Sequence, residues 1–124
     1  MKTQTSLAPK NSLILILDPV TGIIPQSMAC QLVASTPSCI AIGTMSASDG
    51  ETVVVLTDER QCVISDPAMQ QVFEGTIATP RMKVAVCTVD MEQILSSQVP
   101  TGLLSVEVWV NHKQEPSRVC VLIK

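Results

Sequence analysis

The sequence predicts an all-β domain: an antiparallel β-sandwich of about seven strands with one or two short helical turns. Three observations carry this. Hydrophobic residues make up 46% of the chain, yet they fall in short runs of Val, Ile, Leu, Ala and Cys. Turn residues recur at intervals of roughly ten, the spacing of a sandwich. Strands alternating with full helices, which would signal a parallel sheet, are missing. With 124 residues the chain has the commonest size for one domain and can bury a core without disulfides or metal.

Residues 1–11 are polar and read as a flexible arm, followed by the single domain. Residues 12–17 form an unbroken apolar run stopped by Asp18-Pro19. That is a strand's length, and both of its faces must be covered, by the chain itself or by a partner. Pro25 opens a stretch with Met28, Leu32 and Val33 on one side, which predicts a short helix or an irregular crossover ending at Pro37. Residues 38–45 and 51–57 bracket a polar loop ending Asp49-Gly50, which predicts a hairpin. A short strand is expected at 61–64, and two more runs at 72–79 and 82–89. Residues 90–97 read as a helical turn opened by Asp90. Val99-Pro100-Thr101-Gly102 is a turn. Residues 103–111 alternate, with Val106, Val108 and Val110 opposite Ser105, Glu107 and Trp109. Residues 117–124 close the chain with Val119, Val121 and Ile123 aligned.

The composition excludes more chemistry than it suggests. The chain has one Phe (Phe73), one Trp (Trp109), no Tyr and a single His, His112. Stacking platforms for single-stranded nucleic acid are therefore missing. His112 ends an alternating strand with no ligand or acid at a useful spacing and reads as a loop residue. No Gly-rich phosphate loop and no nucleophile elbow is present, and no metal or cofactor is expected. Asp18 and Asp66 each precede a proline, which is turn chemistry first. A ligand-binding or catalytic role for this pair requires the fold to bring them together.

Cys30, Cys39, Cys62, Cys87 and Cys120 form no CxxC pair and sit among apolar or small residues. They read as small buried hydrophobes in a reducing compartment, which places the protein in the cytoplasm. Arg118, two residues before Cys120, is the nearest thing to an activating neighbour for a thiol. The apolar run at 13–17 is too short for a secretory core, and nothing reaches a transmembrane length.

The net charge of −3 disfavours nucleic acid and anionic membrane as partners. The acidity is concentrated: residues 49–74 carry six acids against Arg60. Asp49, Glu51, Asp58 and Glu59, with Trp109 as an aromatic anchor, are the candidate residues for docking another, basic protein. The plainer reading is a solvated face.

A further signal lies in the order of short motifs. Pro37-Ser38-Cys39-Ile40-Ala41-Ile42-Gly43-Thr44-Met45 is followed by an acidic turn and Val53-Val54-Val55. Lys83-Val84-Ala85-Val86-Cys87-Thr88-Val89 and then Val99-Pro100-Thr101-Gly102 come later. Together, over residues 37–110, they resemble the competence nuclease-inhibitor family, the ComJ-like proteins. This chain is poorer in aromatics than that family and departs from it most at 18–34. The resemblance implies a small acidic β-sandwich that binds and inhibits a nuclease, and it transfers no inhibitory residue. A non-enzymatic protein-binding domain is thus the leading expectation. A self-associating structural module, a homodimer through the apolar faces of 12–17 and 117–124, is the alternative.

Overall fold

The computed structural model describes all 124 residues, with 38 of them buried. It is all-β: ten strands in two five-stranded sheets, packed face to face. The strands are β1 (Lys2–Leu7), β2 (Leu13–Leu17), β3 (Val33–Thr36), β4 (Cys39–Gly43), β5 (Thr52–Thr57), β6 (Gln70–Ala78), β7 (Lys83–Cys87), β8 (Gln93–Gln98), β9 (Leu103–Val110) and β10 (Arg118–Ile123). The first sheet runs β1-β5-β10-β9-β6 and the second β3-β4-β2-β7-β8. Nearly every pairing is antiparallel; β5 and β10 lie parallel.

Alternation builds the core. Ile14, Ile16, Ile40, Ile42, Val84 and Val86 from the second sheet meet Val54, Leu56, Val106, Val108, Val119 and Val121 from the first, all buried. The central strands β2 and β10 are apolar on both faces because both faces are covered. Outside the second sheet, Leu15, Leu17, Cys39, Ala41, Ala85 and Cys87 pack under Met28 and Met91. Outside the first, Val55, Cys120 and Leu122 lie under Val63 and Met69. The apolar faces of 12–17 and 117–124 are therefore occupied by the chain's own segments and are not open to a second copy.

Several expected elements fold differently. Residues 2–7 are not a loose arm: they pair along the whole of β5, from Lys2 opposite Thr57 to Leu7 opposite Thr52. The 38–57 segment is not a hairpin. β4 uses both its edges on β2 and β3, and β5 uses both of its own on β1 and β10. The intervening loop is an arch between sheets, turned by Gly50 at φ 127°, a conformation essentially limited to glycine. The 79–82 link likewise crosses from β6 to β7 in the other sheet.

Residues 61–64 form a helical turn, α1 (Gln61–Ile64), whose Val63 plugs the outer face of the first sheet. Residues 18–32 take the irregular alternative, since consecutive left-handed residues Ala29 and Cys30 break any helix, and β3 follows. The expected helical turn at 90–97 is instead a tight turn closed by Thr88 and Glu92 and then β8; Asp90 pairs with Lys10 at 3.2 Å rather than capping a helix.

Candidate protein-binding surface

The sandwich has two ends. One gathers the loops 8–12, 44–51, 88–92 and 111–117. The other gathers 18–24, 36–38, 79–82 and 99–102, with the chain leaving β5 and β10. Asp49 and Glu51 sit at the 44–51 end, both exposed; Glu51 accepts a hydrogen bond from Ser6 Oγ at 3.3 Å. Asp58 and Glu59 lie at the opposite end of β5, seven residues on, roughly 23 Å away at the rise of an extended strand. Both are engaged by the Met1 ammonium, at 2.8 and 3.0 Å. The acidic segment is thus divided between the two ends.

The 44–51 end recruits acids from elsewhere. Asp90, Glu92 and Glu115 are exposed in its loops. Adding Asp66 and Arg118 from the adjoining face, it holds six carboxylates against Lys10, Lys113 and Arg118, a side-chain charge of −3. The remaining five acids and five bases of the chain cancel, so the whole formal charge resides at this end. Its loops are tied together: Thr44 N–H donates to Ser12 O at 2.8 Å and Met45 N–H to Pro116 O at 3.0 Å. Asn111 Oδ1 accepts from Ser117 and Arg118 N–H, both at 3.0 Å. His112 is a loop residue here, its Nδ1 accepting from the Gln114 and Glu115 backbone at 3.1 and 3.0 Å.

Trp109 belongs to the outer face of the first sheet, packed against the cluster around Val55 and Cys120. Its Nε1–H donates to Glu107 Oε1 at 3.0 Å. Glu107, only 2% exposed, is a residue the sequence reading did not single out. It holds Arg60 through both guanidinium nitrogens, at 3.3 and 2.5 Å, and Lys124 Nζ at 2.5 Å. The Arg60 hydrogen bonds, together with those from Lys124 and Trp109, bring its carboxyl down to about 2 against the opposing pull of burial. The signal available in sequence was an acid two residues from a Trp on the same strand face.

Asp18 is a second buried carboxylate. Burial pushes its carboxyl up, but N–H donors from Val20 (3.0 Å) and Arg81 (3.3 Å) and the Arg81 guanidinium (3.6 Å) outweigh it and hold it below the ordinary range. Asp66 lies over the other sheet and caps a turn through Ala68 N–H at 2.9 Å. The fold therefore keeps Asp18 and Asp66 apart, and no group of three His, Cys, Asp or Glu is placed to hold a metal ion.

The cysteines divide by position. Cys39, Cys87 and Cys120 are buried, with burial pushing the Cys39 thiol up to about 12 and Cys87 to about 11. Arg118 does not activate Cys120, whose thiol is also raised by burial. Cys62 is half-buried, and Cys30 is exposed, contrary to the expectation of five buried thiols.

Comparison with protein-family models and with curated proteins finds no match. Among solved structures, the chain superposes on ComJ, inhibitor of the DNA-degrading activity of NucA, from Bacillus subtilis. The superposition covers 98% of this chain and 93% of that one, with a TM-score of 0.60 and 10% sequence identity. The fold is similar to that of ComJ. The ComJ-like architecture extends beyond residues 37–110, where the motif order resembles that family, to nearly the whole chain. At this identity the ComJ likeness is one of fold. No helix is long and apolar enough to cross a membrane.

Proposed function

We propose that this chain is a non-enzymatic, inhibitor-type domain whose partner is a DNA-degrading nuclease. The observation that carries the reading is the near-complete superposition on ComJ, a protein that inhibits such an activity. The charge distribution supports it. A cleft built to receive DNA phosphates is basic, and an acidic surface addresses the same cleft and gains association rate from steering. Asp49 and Glu51, with Glu115, Asp90 and Glu92 beside them, supply that surface on loops tied to the sandwich. Asp58, Glu59 and Trp109 stand away from it and contribute to the long-range field or to the scaffold. Five free cysteines suit a reducing compartment, and we place the domain in the cytoplasm.

The test is a titration of the purified chain into NucA, with DNA degradation as the readout. Loss of degradation reaching completion near one equivalent is expected. Undiminished degradation under a large excess of the chain contradicts the reading.

A further inference from the structure

The two sheets do not close evenly along their sides. β3 and β6, the outermost strands of the two sheets, face each other. Ala78 N–H donates to Pro37 O at 2.9 Å and fastens them at the 79–82 end. Toward the other end they part and leave a groove of about 460 Å³, a size that suits a small-molecule ligand. A side pocket of about 250 Å³ continues it past Cys30 and Gly43, sharing Gln31, Leu32 and Lys113 with it.

A β-bulge builds the base of the groove. The register of β6 on β9 shifts between Gln71 and Phe73, so Val72 has no partner across the ladder. Consecutive strand residues ordinarily face opposite sides. The extra residue lets Val72 and Phe73 both pack against the main core, and Leu32 and Val33 do so from the facing sheet. All four are half-buried and line the groove. The Phe73 ring lies back over Gly75, where a Cβ would stand 2.9 Å from its Cζ. The base is thus an open margin of the hydrophobic core.

The rim is polar and carries one charge. Gln31, Ser35 and Gln71 are exposed on it, and Lys113 is the sole ionic side chain lining the groove or its side pocket. Glu115, two residues on, is exposed and lines neither. The ion pairs of the chain engage Lys10, Arg60, Arg81 and Lys124; Lys113 joins none of them. The Gln31 and Gln71 side-chain amides are likewise free to donate to a ligand.

We propose that this groove binds a small monocarboxylate with a hydrocarbon body. The carboxylate meets Lys113 and the amides of Gln31 and Gln71, and the body lies on Leu32, Val33, Val72 and Phe73. Each part of that ligand answers an observation. The body displaces water from the open core margin. The carboxylate gives Lys113 the partner that the chain does not supply. A neutral amphiphile leaves that ammonium unpaired, and no acid lines the groove to receive a cation. The end to which Lys113 belongs totals −3, so a phosphate ester, with its second negative charge, is held off more strongly than a carboxylate. A peptide strand running through the groove meets the closed Pro37–Ala78 end. This inference does not depend on the nuclease reading.

Octanoate titrated into the isotope-labelled full chain, followed through its amide resonances by NMR, tests it. Saturable shifts confined to residues around 31–35, 71–73 and 113 are expected. Acetate, which lacks the body, and octanol, which lacks the charge, should each bind roughly tenfold or more weakly. Lys113→Gln, at an exposed loop position, should abolish the preference for octanoate over octanol and leave the rest of the spectrum native. Shifts that never saturate, that scatter over the surface or that ignore Lys113→Gln overturn the proposal. It is also overturned if octanoate perturbs none of these amides while NucA, or a higher concentration of the chain itself, does; the groove then belongs to the nuclease or to a second copy.

Discussion

At Glu107, a carboxylate that is almost fully buried is stable because three donors reach it. The two cations differ from it in being half-exposed, Arg60 at 47% and Lys124 at 44%. This asymmetry orders the expected costs. Glu107→Gln frees two cations that water can solvate, so the cost should be about 1–3 kcal/mol. Arg60→Met leaves the buried charge with one cation and an indole, and should cost more, about 3 kcal/mol. Urea denaturation of both variants checks the order. The folded-state pKa lies below the ordinary value, so the stabilisation is fully present above about 4.5 and is lost as pH falls toward about 2. Glu107→Gln should flatten that part of the stability profile.

The thiols make a second prediction at this scale. In the native protein DTNB should label exposed Cys30 first and half-buried Cys62 more slowly, leaving Cys39, Cys87 and Cys120 unreacted until unfolding. Cys87→Ser should destabilise by about 1–3 kcal/mol, because its buried surroundings are apolar.

Among the elements, the parts of the fold written in side-chain period were legible and the parts written in tertiary pairing were not. Val106, Val108 and Val110, and Val119, Val121 and Ile123, face the core as their alternation predicts. The unbroken run at 13–17 announced a strand covered on both faces, and β2 is one. Period 2 carries no information about which strand is the neighbour, so the 44–51 arch between sheets reads as a hairpin. β1 was missed for a related reason. Lys-Thr-Gln-Thr-Ser-Leu has little apolar content because an edge strand buries little, and its stability comes from the β5 ladder. Removing residues 1–8 should therefore expose the edge of β5 and favour aggregation. Light scattering on heating checks this, with the truncated chain scattering at a lower temperature than the full one.

The acidic stretch 49–74 looked like one surface in the sequence and proves to be two, because β5 runs the length of the sandwich between Glu51 and Asp58. What sequence order separates, the ends reunite: Asp49 and Glu51 join Asp90, Glu92 and Glu115 from distant loops. No local motif encodes that gathering, nor the buried Glu107 with Arg60 and Lys124. The family resemblance anticipated the fold across residues 37–110, and the superposition on ComJ extends it to the two edges that pattern alone left vague.

The whole molecule is polarised, its formal charge gathered at one end. We propose that the acidic end meets a basic nuclease. The most direct measurement is the association rate with NucA at rising salt, for the unsubstituted chain and for Asp49→Lys/Glu51→Lys. Association should slow with salt, since exposed charges are screened beyond about 3 Å at 1 M. The double reversal should slow it further, with dissociation changed less. The reversal should alter stability by no more than about 0.5 kcal/mol, both residues being exposed. A rate indifferent to both salt and the reversal would show that the acidic end does not steer the nuclease.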